Sequence, residues 1–178
     1  ARLIANQMGL PLLVYHGIDE RYPHASYRHH KFLLEGARDL EKEAADMGVD
    51  YLLHVSRKGH RQPVLKLLSE DAAVIVTDLV DLDPWSDWSD AIAKMRTLIE
   101  VDAHCVLPRQ VFGRSVDRPF KFKNSTKRMV NARKGVNWPV CDVPITRMSE
   151  LYDPPFAPVS AHRELERDGG VQLLSQCE

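Results

Sequence analysis

Several absences narrow the reading of this chain. Cysteine is scarce: Cys105, Cys141 and Cys177 are odd in number, far apart and without a C-x-x-C spacing. That pattern suggests neither a disulfide framework nor a zinc site and fits a reducing, cytoplasmic setting. Long apolar runs are missing. Nothing approaches the ~20 residues of a membrane span, and no signal-peptide pattern is found. Net charge is almost absent too, at −1 over 178 residues. No global field therefore draws the protein to nucleic acid or membrane, and any such binding must come from a local patch. The paired glycines of a phosphate loop are also lacking: Lys58-Gly59-His60 has one glycine, and Gly113 stands alone. There is no internal repeat.

What is present is enough apolar sequence for a soluble core: 44% hydrophobic and 28% charged residues in a chain long enough to bury it without staples. The organising stretch is Val74-Ile75-Val76-Thr77-Asp78, a short β-branched run ending in an acid. It reads as a buried parallel strand whose carboxyl end delivers Asp78 to the rim of a sheet, where ligands sit in open α/β folds.

The remaining elements follow the same plan. Residues 1–8 read as an amphipathic helix stopped by Gly9. Pro11 to His16 reads as a strand, and Asp19, Glu20, Arg21 and Pro23 as the turn residues of a loop over 17–24. A long helix from about Ala25 to Met47 repeats Phe32, Leu33, Gly36, Leu40, Ala44 and Met47 at helical spacing, with a solvated charged face. Strands at 51–55 and 73–77 flank a helix over 61–70, with Pro63 in its first turn. A helix over 85–97 carries Trp88, Ile92 and Met95 inward, and 98–102 with 104–107 forms the last strand. The alternation predicts an α/β fold: a parallel, doubly wound, Rossmann-like sheet with right-handed crossovers, over residues 1–112.

After Pro108 the character changes. Residues 114–134 hold eight basic side chains, including Arg118, Lys121, Lys123, Lys127 and Arg128, against the single acid Asp117. Residues 113–136 therefore read as a basic connecting helix. Its closely spaced cations are the best nucleic-acid candidate, because they release counterions from phosphates. A solvated connector is the competing reading, and Phe120 and Phe122 point to packing on a partner domain. Residues 137–178 are proline-rich at first and read as a linker and extended arm.

The run Tyr22-Pro23-His24-Ala25-Ser26-Tyr27-Arg28-His29-His30-Lys31-Phe32-Leu33-Leu34-Glu35-Gly36 resembles the photolyase/cryptochrome N-terminal domain. In that family a loop with a small residue and an arginine opens a helix of form R-x-x-F-L-x-x-G. Val76-Thr77-Asp78 at a strand end, Trp88 in the next helix, and Val101-Asp102-Ala103-His104-Cys105-Val106-Leu107-Pro108 follow in the same order. The last of these is most similar to the class II photolyases. Phe120-Lys121-Phe122-Lys123 lies where the family has an aromatic-basic segment leading out of the domain. The resemblance covers roughly residues 1–130. Two family features are missing from these residues: the central first strand, whose loss leaves a gap between two others, and the large helical domain that holds FAD. Backbone groups beside such a gap need partners, from residues outside this chain or from another segment.

The resemblance implies the antenna-domain portion of a light-driven flavoprotein that repairs pyrimidine dimers in DNA. Such a portion is not catalytic alone. It implies FAD in a helical partner domain, an antenna chromophore (folate, deazaflavin or flavin) near this domain, and damaged DNA as the partner, with no membrane. Candidate cofactor contacts are Arg28, whose guanidinium can fork to a phosphate or ring carbonyl, and Asp78, which can accept from a ring N–H or a ribose. The alternatives are an Arg28 paired with Asp19 or Glu20, and an Asp78 that caps a helix or orders its loop. His29 and His30 point to different sides of a helix and do not share a metal. His54 and His104 read as satisfied core or rim histidines, Trp85 and Trp88 as core contacts, and Asp102 as an acid ordering the next turn. His60-Arg61 after Gly59 reads as a weak anion site at a helix start. The competing functional classes are a nucleotide-binding module of the same α/β architecture and a ligand-free interaction module.

Overall fold

A computed structural model of the chain describes residues 1–22, 24, 26–137 and 144–166. Pro23, Ala25, residues 138–143 with Cys141, and residues 167–178 with Cys177 lie outside the described residues. The chain divides into two compact units, one of residues 1–68 with 141–178 and one of residues 69–140.

The first unit begins with α1 (Arg2–Met8), closed by Gly9 at φ 65°, a left-handed value that glycine adopts without a Cβ penalty. β1 (Leu13–Asp19) and β2 (Asp50–Ser56) pair in parallel, with Leu13 opposite Asp50 and Asp19 opposite Ser56. Their crossover is α2 (Tyr27–Asp46), which starts at Ser26, whose Oγ accepts the His29 N–H at 3.4 Å. Strand alternation sorts the side chains. Ile18, Leu53 and Val55 fall on one face and form the core with Leu34 and Ala37 of α2 and Ala161 of α7 (Ala161–Glu166).

The inward face of α2 is not the expected one. His30, Leu34, Ala37 and Ala44 are buried, whereas Phe32 is 72% exposed and Leu40 and Met47 are also exposed. Apolar residues occur on both sides of this helix, so periodicity admits two stripes, and packing on β2 selects the one carrying small alanines.

The expected arm is strapped to this unit. The Leu12 N–H donates to the Thr146 carbonyl, and Asp50 accepts from the Arg147 guanidinium and the Met148 N–H. Val159 forms an antiparallel bridge with Leu53. Phe156 and Ala161 are buried.

The boundary between the units falls within α3 (Val64–Asp71). In the second unit β3 (Ile75–Asp78) and β4 (Leu98–Val101) pair in parallel around the crossover α4 (Trp85–Ala93). Arg96 donates to the carbonyls of Ser69 and Glu70 in the last turn of α3, at 2.7 and 2.5 Å, satisfying groups that the helix leaves open. Then come α5 (Arg109–Phe112), absent from the sequence reading, and α6 (Pro119–Arg133).

Among the described residues the four strands form two parallel pairs, which makes the fold α/β with short parallel strand pairs. β4 also ends early, at Val101, and 104–107 is not a strand. The Asp102 carboxylate accepts the Arg109 N–H and bonds the backbone of His104 and Cys105, which turns the chain away. Of the face expected over 85–97 only part is inward: Ile92 of α4 is buried, but Trp88 and, past the end of α4, Met95 are exposed. No helix among the described residues is long and apolar enough to cross a membrane.

Candidate functional site

Parallel strands present their carboxyl ends together, and that rim is the place to look for ligand groups. In the first unit β1 ends at Asp19 and β2 at Ser56. Asp19 accepts from Arg21 at its backbone N–H, Nε and Nη2, at 2.9, 2.9 and 2.6 Å. These bonds hold the Asp19 carboxyl below the usual range, against the effect of partial burial. Glu20 is buried and pairs with Arg61. Arg57 forks onto Glu164 at 2.7 and 3.1 Å. The rim is therefore strongly charged but internally neutralised.

Behind these pairs lies a polar chain. His54 Nε2 stands 3.2 Å from the His60 carbonyl, and Nδ1 stands 3.3 Å from the Tyr15 hydroxyl. A carbonyl only accepts, so Nε2 carries the proton and Nδ1 accepts from Tyr15. Burial lowers the His54 pKa, outweighing the opposing effects of the His60 bond and the Asp19 charge. Burial, helped by the Asp19 charge, pushes Tyr15 up to about 12. Phe156 meets both rings edge-on, at centroid distances of 6.1 and 5.3 Å. These groups back a recess of about 80 Å³ lined by His54, Arg57, Gly59, His60, Gln62 and Phe156 among others. On the opposite sheet face His16 Nδ1 bonds the Tyr51 hydroxyl at 2.7 Å. Burial lowers the His16 pKa, and burial with the Glu41 charge pushes Tyr51 up to about 12.

Arg28 sits exposed in the first turn of α2. The acids expected as its alternative partners are engaged elsewhere, Asp19 by Arg21 and Glu20 by Arg61. The anion site expected at His60-Arg61 is altered by the same pairing, because the Arg61 cation is committed to Glu20.

In the second unit Asp78 is the last residue of β3, opposite Val101, and is exposed. It does not cap α4, which starts at Pro84 and has the Ser86 hydroxyl donating to Asp83 at 2.7 Å. Near it in sequence, Asp81 accepts from Arg109 at 2.9 Å. The backbone bond from Arg109 lowers the Asp102 pKa, so Asp102 orders the following turn as expected. This unit also has an open recess of about 540 Å³ beside Ala72, Ala73, Lys94 and Thr97, at the amino ends of its strands.

The basic residues do not act as one set. Arg118 and Lys121 share Asp117, at 3.8 and 2.9 Å. Lys123, Lys127 and Arg128 are exposed on α6 and make no ion pair among the described residues. Phe122 packs edge-on against Phe112, and Arg114 lies over the Phe112 ring at 5.2 Å. Sequence reasoning missed Tyr15, Arg57 and Phe156. Tyr15 and Arg57 had only their strand-end positions as a signal, and Phe156 had none.

No family model matches the chain. Over 106 residues, 58% of the chain, it is 34% identical to the deoxyribodipyrimidine photo-lyase of Methanothermobacter thermautotrophicus. The match covers 23% of that protein, so the chain spans about a quarter of its relative. The similarity to that photo-lyase rests on this segment of the chain.

Proposed function

We propose that this chain is the light-harvesting portion of a photolyase-like flavoprotein that repairs pyrimidine dimers in DNA, of the class II-like kind and cytoplasmic. The observation that carries this reading is the 34% identity over 106 residues to a deoxyribodipyrimidine photo-lyase. The parallel strand pairs, with Asp78 exposed at a carboxyl end, are compatible with it.

FAD does not fit the residues described. Drug-sized ligands occupy pockets of roughly 300–1,000 Å³. The backed recess of the first unit is about 80 Å³. The larger one, about 540 Å³, lies at the wrong end of its strands and is open to solvent. In this reading a helical partner domain of the same protein holds FAD. This chain supplies the candidate contacts to an antenna chromophore instead: Arg28, a forked donor in the first unit, or Asp78, an acceptor in the second. Arg118, Lys121, Lys123, Lys127 and Arg128 supply the contact to DNA phosphates, with Lys123, Lys127 and Arg128 the uncommitted cations.

The absorption spectrum of the purified chain tests the reading. A folate, deazaflavin or flavin band that Arg28→Ala or Asp78→Ala diminishes, with the far-ultraviolet circular dichroism unchanged, is the expected result. Bound adenine nucleotide assigns the chain to the nucleotide-binding class, and no chromophore from any preparation makes it an interaction module.

A further inference from the structure

The loop after β2 carries cations and no acid: Arg57, Lys58 and Arg61, with His60 among them. Glu164 balances Arg57 and Glu20 balances Arg61. Lys58 is exposed and makes no ion pair among the described residues, so the loop keeps a positive charge. Gly59, at φ 85°, makes the turn in which the His60 N–H donates to the Arg57 carbonyl at 2.8 Å. His54 Nε2 donates to the His60 carbonyl at 3.2 Å, which pins the backbone of the loop to β2. The exposed side chains of His60 and Gln62 have no partner among the described residues.

These residues line the small recess of the first unit. The Arg57 side chain is only 12% exposed, so its charge is largely out of water. Its pairing with Glu164 uses one N–H on each Nη, and three of its five N–H groups, Nε–H included, stay uncommitted. A guanidinium so placed gains from a second acceptor. The His60 ring and the Gln62 amide can both donate, and the remaining wall, with Phe156 and Val159, is apolar. The volume of about 80 Å³ is roughly that of two or three waters, which suits one oxyanion and excludes a ring system. We propose that this recess binds a phosphate group, held by the uncommitted N–H groups of Arg57, the His60 ring and the Gln62 amide. Nothing lies within 4 Å of where a Gly59 Cβ would stand, which leaves room for the body of a phosphate monoester. Arg57 thus takes the part expected of Arg61 in the sequence. The site does not depend on the photolyase reading.

An NMR titration of the full chain tests it, following the amide resonances with inorganic phosphate and, separately, with ribose 5-phosphate. Each should saturate at one site and shift Gly59, His60 and Gln62. Equal affinities assign the site to the phosphate group alone, and a tighter ester assigns it to a phosphate monoester. His60→Ala and Gln62→Ala leave the main-chain bonds in place and should each weaken binding about threefold to tenfold. Arg57→Lys keeps a charge for Glu164 but removes the fork, and should weaken binding at least as much. If that variant does not fold, the His60 and Gln62 variants decide. A titration that stays linear through the millimolar range overturns the proposal. So does saturable binding that ignores every folded variant, or shifts confined to α6 residues such as Lys123 and Lys127.

Discussion

Arg57, in the loop after β2, forks onto Glu164 of α7 at 2.7 and 3.1 Å, with both side chains nearly out of solvent. The pair ties the segment after Pro158 to the strand end and closes the first unit at its rim. Breaking one side leaves a buried charge, which costs ~3–5 kcal/mol. Glu164→Ala should therefore lower the urea midpoint sharply. The double change Arg57→Met with Glu164→Leu should cost much less, because it removes both charges together. Equal losses would show that packing, not the uncompensated charge, sets the cost.

Asp50 fixes the other end of the same strap, accepting from Arg147 and the Met148 N–H at 2.7 Å. Burial tends to raise its pKa, but these bonds and the Arg147 charge prevail and lower it. Arg147 is well exposed, so solvent screens the pair. Asp50→Ala should cost only ~1 kcal/mol. It should nonetheless speed limited proteolysis near residues 144–152, and an unchanged cleavage rate would remove Asp50 from this role.

The titrating groups of the first unit predict a stepped response to pH. His16 and His54 have folded pKa values below the ordinary 6.5, so the unfolded chain takes up protons first. Their contribution is complete above 6.5 and declines as pH falls below it. Asp19 and Asp50 are lowered from 3.8, so their contribution is present above that value and is lost as pH falls below it. At the alkaline end Tyr15 and Tyr51 ionise at about 12 when folded against 10.0 when unfolded, so stability declines as pH rises from 10 towards 12. Urea midpoints measured across pH should show all three declines. His54→Gln should flatten the first, and tyrosinate absorbance should show two late-titrating groups among the chain's five tyrosines.

The basic helix makes a graded prediction for DNA binding. Each phosphate contact contributes roughly 0.9 to the slope of log affinity against log salt. Lys123→Gln with Lys127→Gln should reduce the slope by about 2. Lys121→Gln should change it less, since Lys121 is already held by Asp117 at 2.9 Å. Equal effects from all three lysines would mean that the Asp117 contact gives way on binding.

Element order was largely legible because local signals agree with one another. Gly9 ends α1, Ser26 starts α2, and the β-branched run around Val76 is a strand. Facing was less legible. Phe32 and Trp88 are the residues that composition sends inward, and both are exposed. The choice between two apolar stripes is made by the surface opposite, which a single sequence does not contain. The rim pairs were the least legible. Arg57 and Glu164 are 107 residues apart, and Glu164 belonged to a tail with no core of its own. The strap became a packed element because Phe156, Val159 and Ala161 found the β2 edge and the α2 face.

The most direct test is a fluorescence titration of the chain with a flavin, a deazaflavin and a reduced folate, beside the Arg28→Ala and Asp78→Ala variants. One charge-assisted hydrogen bond is worth ~1.5–3 kcal/mol, or about tenfold or more in affinity. The account predicts saturable binding of one of these chromophores, weakened at least about tenfold by at least one of the two substitutions in a folded variant. Failure of all three to bind the folded chain, or binding that ignores both substitutions, would contradict it.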